Sequence, residues 1–381
     1  MTSPISREFQ VFVKPVGARC NLNCSYCYYL GKAELYEPAK LRVMPDEILE
    51  KYIKQQIEAS TETDIFFSWH GGEPTLAGLD FFRKIVKLQR KHKPAGRNII
   101  NGIQTNATLL NDSWCRFFSD ESFFIGVSID GPEEIHNKFR VSKDNKGSHN
   151  KTLKGYELLR KNNVSTELLT VVNSENVRFP LETYNWLKQL GSTFLTFLPL
   201  VVKDPGSDSG VSSISVASEA FGSFLKTVFD EWVVKDIGKI KIQIIEEAVR
   251  TAFSQEHTLC IFKKRCGGVP VVEQNGDFYS CDHFVDTDHL IGNICQTDLA
   301  DLLDSERQIN FGQAKYDTLP QFCLDCPVLE MCNGECPRNR FINTPSGEPG
   351  LNYLCSGYMQ FFMHIKPFVE AVATEWRRKG E

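Results

Sequence analysis

From Phe9 to Pro199 the sequence alternates short apolar runs with longer amphipathic ones, and this alternation restricts the fold more than any other feature. The runs Phe9–Val13, Asp64–Trp69, Asn98–Gln104, Phe123–Ile129, Thr166–Val172 and Thr193–Leu198 read as strands. Helical patterns lie between them at Pro45–Ala59, Asp80–His92, Asn111–Phe118, His149–Asn162 and Leu181–Leu190. Regular strand–helix alternation implies parallel strands joined by right-handed crossovers. Six such units are too few for a closed eight-stranded barrel. The expected α/β fold is therefore a partial, TIM-like (β/α)6 barrel with its chemistry at the C-terminal strand ends.

Beyond the sixth strand, Lys203–Ser215 is rich in Gly, Pro, Ser and Asp and reads as a loop. Helical patterns follow at Ser218–Val234 and Ile244–Phe253, and a last one runs from Tyr358 to Arg378. Asn275-Gly276, flanked by Val271–Gln274 and Asp277–Ser280, is a strong two-residue hairpin signal. It folds Cys266 and Cys281 back towards each other, and so predicts a shared metal site. The expected division is a barrel over 1–200, linker and helices over 201–255, a cysteine-rich domain over 256–357 and a C-terminal helix over 358–381.

Net charge is -5 with no long basic run, which argues against nucleic acid as a partner. No stretch is long and apolar enough to span a membrane, and MTSPISREFQ lacks the pattern of a secretory signal. A cytoplasmic protein is expected, in which clustered cysteines serve as metal ligands rather than disulfides. Of 13 cysteines, three stand at the front and eight at the back. Cys115 and Cys295 are left over and read as buried free thiols.

Cys20, Cys24 and Cys27 form Cys-x3-Cys-x2-Cys directly after the first strand. Three thiolates on one short loop can hold three irons of a four-iron cube and leave the fourth open to chemistry. With the aromatic Tyr26 beside the last cysteine, the motif resembles that of the radical S-adenosylmethionine (SAM) enzymes. In that family the cluster supplies an electron that cleaves SAM to methionine and a 5′-deoxyadenosyl radical. The resemblance extends to Gly71-Gly72-Glu73-Pro74 after the second strand, where the family binds the SAM amino group. It implies SAM contacts for Tyr26, Gly72, Ser128, Arg140 and Leu195, although Leu195 reads equally well as a core strand residue. Asn106, at the end of the third strand, faces the cavity or serves as a turn residue.

The back cysteines run Cys266-x9-Gly276-x4-Cys281, then Cys323-x2-Cys326-x5-Cys332-x3-Cys336, then Cys355, with Cys260 ahead of them. This matches the seven-cysteine SPASM pattern plus one. Eight thiolates suffice for two four-iron clusters, or for two structural zinc sites. Several stretches are similar to the anaerobic sulfatase-maturating enzymes: VKPVGARCNLNCSYCYY, WHGGEPTLAGLDFF, IQTNATLL, GVSIDGPEEIHNKFR, NGDFYSCDHF and GLNYLCSGY. One departure is Asn106-Ala107-Thr108, where Asn-Gly-Thr is commoner. That resemblance implies three [4Fe-4S] clusters. It assigns Cys260, Cys266, Cys281 and Cys336 to the first auxiliary cluster, and Cys323, Cys326, Cys332 and Cys355 to the second.

It further implies that Asp282 is the base. Burial beside an anionic cluster would raise its pKa towards neutrality. His283 is a second candidate, which strand alternation would turn to the opposite face. The implied reaction removes a β-hydrogen from a peptidyl Cys or Ser, then a proton, then an electron to an auxiliary cluster, giving Cα-formylglycine. The implied partners are an unfolded or nascent sulfatase and a flavodoxin- or ferredoxin-like electron donor, with the enzyme a monomer. The alternatives are a radical enzyme that epimerises or cross-links a small precursor peptide, and an electron-transfer protein with structural clusters. The chain begins almost at its first strand, with no leader-binding domain before Cys20, and this weighs mildly against the peptide-modifying alternative.

Overall fold

The computed structural model describes residues 9–35 and 42–380. Its strands are β1 (Phe12–Val13), β2 (Asp64–Trp69), β3 (Asn98–Thr105), β4 (Phe124–Ser128), β5 (Ser165–Val172), β6 (Phe194–Pro199), β7 (Lys241–Ile242), β8 (Val271–Val272), β9 (Asp277–Tyr279), β10 (Leu290–Asn293), β11 (Arg340–Asn343) and β12 (Pro349–Asn352). All six expected barrel strands form, and β1 is shorter than its apolar run. The helices between them are α1 (Asp46–Ala59), α2 (Leu79–His92), α3 (Asp112–Asp120), α4 (Glu133–Phe139), α5 (His149–Lys161) and α6 (Pro180–Gln189). The sequence reading missed α4, a short helix whose Ile135 and His136 N–H groups donate to the carbonyl of Pro132. At seven residues it is too short for a 3.6-residue period to stand out.

The chain divides into two compact units that interleave in sequence. The first comprises 1–128, 137–166 and 267–312; the second comprises 129–136, 167–266 and 313–381. In the first, the strand order is β10-β9-β8-β1-β2-β3-β4. Strands β1 to β4 are parallel, as crossovers demand. The β8–β9 hairpin is antiparallel, and β8 adds in parallel to the free edge of β1. That register sets Val13 against Val272, so Lys14 and Glu273 leave the same sheet edge together. The side chains of Ile65, Phe67, Trp69, Phe82, Phe118 and Ile125 fill the layer between sheet and helices. Each buried side chain of this size contributes about 1.5–3 kcal/mol.

In the second unit β5, β6 and β7 are parallel, and β11–β12 is an antiparallel ribbon. The helix Ser218–Lys235 packs on the long C-terminal helix Cys355–Gly380. A Cβ on Gly357 would lie 2.0 Å from the Ser218 carbonyl oxygen, so glycine permits that approach. Between Lys203 and Ser215 the chain forms turns, as its composition suggests, held by a Lys203–Val211 bridge and by bonds such as the Asp204 N–H to Gly210 O at 2.9 Å.

Two local expectations need correction. The hairpin turn has three residues, not two. The Gly276 N–H bonds the Glu273 carbonyl, the Glu273 N–H bonds Asp277, and only Gly276 enters the left-handed region, at φ 87°. This is the longer hairpin loop in which glycine supplies a bulge rather than half of a primed turn. Cys115 is buried as expected, but Cys295 is exposed, because it lies in the turn that follows β10.

Candidate active site

Every residue of the front site described below belongs to the first unit. The cysteine loop leaves β1 and is clamped along its length. The Asn23 N–H donates to Val141 O at 2.7 Å and the Ser25 N–H to Phe139 O at 3.0 Å. Arg140, buried beside these contacts, sets its guanidinium 5.4 Å from the Tyr26 ring centre. Tyr26 and Arg140 therefore stand together at the loop. Cys20 Sγ accepts from the Leu22 N–H at 3.3 Å and the Asn106 amide at 3.8 Å. Burial, with Glu73, Cys24 and Cys27 nearby, pushes the Cys20 thiol up to about 12. Three sulfurs that repel one another's charge, on a loop with no disulfide, suit a bound iron cluster, whose positive metal favours thiolates.

Gly71-Gly72-Glu73-Pro74 crosses directly over the segment that leads into Cys20. The Gly72 N–H donates to Gly17 O at 2.9 Å and the Glu73 N–H to Arg19 O at 2.8 Å. The Glu73 carboxylate is buried and accepts from the Thr75 N–H and hydroxyl, the Thr105 hydroxyl and the Asn106 N–H. It ties the ends of β2 and β3 to the cysteine loop. The sequence reading gave Glu73 no such role. Ser128, at the end of β4, accepts from Gln104 Nε2 at 2.9 Å.

Asn106 points towards the cysteine loop, with Nδ2 3.0 Å from Asn21 Oδ1. The next residue, Ala107, sits at φ 59°. A left-handed alanine costs about 1–2 kcal/mol, and glycine's greater freedom when unfolded offsets about 0.5–1 kcal/mol. Ala107→Gly is therefore expected to stabilise the protein by up to about 1 kcal/mol, read as a higher Tm under anaerobic conditions.

The candidate base lies on the hairpin side. Strand β9 stops at Tyr279, and Cys281–Phe284 makes a turn closed by the Phe284 N–H to Cys281 O. Strand alternation thus does not separate Asp282 from His283. The Tyr28 ring lies 4.9 Å from that of His283, and the Tyr28 hydroxyl donates to Asp282 Oδ2. Lys14 Nζ donates to Asp282 Oδ1 and sits 4.4 Å from the Tyr29 ring centre. Lys14 is 1% exposed. Burial pushes the Asp282 carboxyl up, but the Lys14 charge, His283 and the Lys14 and Tyr28 hydrogen bonds outweigh it. Its pKa falls well below the usual range.

Glu273, beside this pair, accepts from the Tyr29 hydroxyl. Burial, opposed by Tyr29 and Lys14, pushes it up to about 7. Sequence reasoning overlooked Lys14, Tyr28, Tyr29 and Glu273. Their signal was present: Lys14 and Glu273 each follow a two-residue apolar strand end where a polar side chain needs a partner.

In the second unit, Cys323, Cys326, Cys332 and Cys355 line one pocket, walled by Phe322, Val328, Leu329 and Met359. Four thiols in an apolar shell match the donor set of a fully ligated cluster. Cys260, Cys266 and Cys336 also lie in this unit, and Cys281 lies in the first. In the first unit Gln308 Nε2 donates to Gly267 O at 2.9 Å and Ser280 O at 3.2 Å, next in chain to Cys266 and Cys281 respectively. Leu195 has no exposed surface, and neither does its register partner Leu168. The core-strand reading of Leu195 therefore accounts for its burial, beside Leu168 on the neighbouring strand.

Residues 15–187 match the Radical SAM superfamily, and residues 260–327 match the SPASM iron-sulfur cluster-binding domain. The chain is 44% identical to the serine-type anaerobic sulfatase-maturating enzyme of Bacteroides thetaiotaomicron, over 98% of this chain and 93% of that one. It is 32% identical to the cysteine-type enzyme of Clostridium perfringens, over 95% and 98%. A solved structure, native anSMEcpe with bound AdoMet, superposes with a TM-score of 0.87 at 30% identity, covering 96% of this chain and 99% of that one. The chain belongs to the anaerobic sulfatase-maturating enzymes, radical SAM proteins that carry a SPASM domain.

Proposed function

We propose that this enzyme oxidises a serine in an unfolded or nascent sulfatase to Cα-formylglycine, with Asp282 as the base. The observation that carries this reading is the buried Asp282 carboxylate, held by Lys14 and by Tyr28, the residue directly after Cys27. Identity of 44% to a serine-type relative, against 32% to a cysteine-type one, supports serine as the native target. Cys20, Cys24 and Cys27 would hold the SAM cluster, and Tyr26, Gly72, Ser128 and Arg140 would contact SAM. Cys323, Cys326, Cys332 and Cys355 would hold one auxiliary cluster. Cys260, Cys266, Cys336 and, on the resemblance alone, Cys281 would hold the other. When bound, these groups supply hydrogen-atom abstraction at the substrate β-carbon and an outlet for one electron.

The chain's own residues supply the rest. Abstraction at the β-carbon makes the attached hydroxyl much more acidic, so a carboxylate of low proton affinity can serve as base. Lys14 keeps that carboxylate ionised between turnovers, and Tyr28 fixes its second oxygen. Carboxylate oxygens have further lone pairs for the substrate O–H. We keep the functional division into a barrel over 1–200, linker and helices over 201–255, a SPASM domain over 256–357 and a final helix over 358–381. A flavodoxin- or ferredoxin-like donor would reduce the enzyme, which we take to be a cytoplasmic monomer. Among the described residues no helix is long and apolar enough to cross a membrane.

The test is anaerobic incubation with SAM, reductant and a sulfatase-type peptide carrying Ser or Cys, read by mass spectrometry. Replacing O–H and H by a carbonyl oxygen removes about 2 mass units from the Ser peptide, and the Cys peptide loses about 18. An unchanged mass with inverted stereochemistry would favour an epimerase, and absence of SAM cleavage would favour an electron-transfer protein.

A further inference from the structure

Between Cys332 and Cys336, three consecutive residues occupy the left-handed region: Asn333 at φ 46°, Gly334 at 68° and Glu335 at 50°. Each non-glycine residue in that region costs about 1–2 kcal/mol, so something must hold the segment. Arg340 does so. Its Nε donates to Gly334 O at 2.8 Å, and Nη2 donates to Asn333 O at 2.9 Å and Glu335 O at 3.2 Å. Nη1 donates to the carbonyl of Lys315. Lys315 in turn donates from Nζ to Cys260 O at 3.1 Å and Ile261 O at 2.7 Å.

This chain of contacts runs from the backbone at Cys260 to the segment separating Cys332 from Cys336. It therefore joins ligands allotted to different auxiliary clusters. Neither cation forms an ion pair among the described residues. Lys315 is 1% exposed, and the buried Glu335 carboxylate is taken by Asn339 and Asn352. The Arg340 charge acts on Cys323, Cys266 and Cys332, and the Lys315 charge on Cys266 and Cys260. Glu335 is the one carboxylate whose charge acts on both cations, and it makes no direct ion pair with either. Two positive charges, held by backbone carbonyls among thiolate ligands and facing one carboxylate, are costly unless a further anionic group compensates them.

We propose that Lys315 and Arg340 form a buried cationic brace, which fixes the spacing of Cys332 and Cys336 and raises the reduction potentials of both auxiliary clusters. The proposal rests on the two-auxiliary-cluster reading above. Positive charge near a cluster favours its reduced state, which is the state an electron outlet must reach. Arginine suits the brace because a planar fork of five donors grips four carbonyls, which lysine cannot do.

The test uses reconstituted full-length enzyme, with iron analysis and EPR-monitored redox titration. K315M is expected to keep its iron. At a fixed potential its ratio of reduced to oxidised auxiliary cluster should fall about tenfold, equivalent to 59 mV for a one-electron couple. R340M is expected to lose auxiliary iron while SAM-dependent signals of the front cluster persist. K315R should restore the midpoints. K315M with full iron and unmoved midpoints overturns the proposal, as does equal loss of iron in K315M and K315R. Unsubstituted enzyme holding only about four irons would instead overturn the cluster reading itself.

Discussion

Gly72→Ala is expected to abolish SAM cleavage by removing the front cluster while leaving the auxiliary iron in place. A Cβ built on Gly72 lies 2.0 Å from the Arg19 carbonyl oxygen, 2.3 Å from the Arg19 carbonyl carbon and 2.6 Å from Ala18 O. All three are backbone atoms, so no side chain can swing aside. The two segments are also stitched together by the Gly72 and Glu73 N–H groups, and Cys20 is the residue after Arg19. Relief of the clash must move the cysteine loop or break those bonds. Iron should fall by about four per chain, and 5′-deoxyadenosine formation should drop by two orders of magnitude or more, on the scale of a lost catalytic group. A G72A enzyme with full iron and ordinary SAM cleavage would show that the crossing can relax. Gly71→Ala offers a comparison, because its φ of 122° is strained for alanine and its Cβ would meet Gly17 O at 2.8 Å.

This glycine also shows where the sequence was legible and where it was not. The motif announced itself by composition and position, and the resemblance explained it through SAM. Only the structure gives the second reason, a backbone crossing 55 residues away in sequence from its Gly17 partner. The barrel strands were readable because apolar runs and crossovers are local patterns, and β2 has the bounds expected from its residues. Residue pairs set by non-local register were not readable. Lys14 meets Asp282 because β8 docks beside β1, a pairing that no periodicity encodes. The Lys14 charge that acts on Asp282 was hidden for the same reason. His283 was set on the opposite face by assuming a strand where the chain turns. Cys295 resembled a buried thiol because it follows the apolar Ile294; Ile294 is fully buried, yet Cys295, in the turn, is exposed.

Asp282→Asn should uncouple the reaction: SAM is still consumed in the presence of peptide, while formylglycine falls by about 10²- to 10⁴-fold, the usual share of a general base. The amide keeps an oxygen for Lys14 and a similar shape, but it cannot take a proton. It also leaves the Lys14 ammonium buried without a counter-charge, and breaking such a pair costs about 3–5 kcal/mol. A loss of activity could therefore reflect a damaged fold. The double variant Lys14→Met/Asp282→Asn separates the two causes. It removes the orphaned charge, so stability and iron content should recover, yet formylglycine should stay low because no base returns. Lys14→Met alone should raise the Asp282 pKa, since the main opposing charge is gone and burial then prevails. Its activity should consequently require higher pH, rising as the carboxyl ionises. Product formation by D282N within tenfold of the unsubstituted enzyme would remove Asp282 from the mechanism. Glu273, held near neutrality beside the same lysine, would then be the carboxylate to replace next.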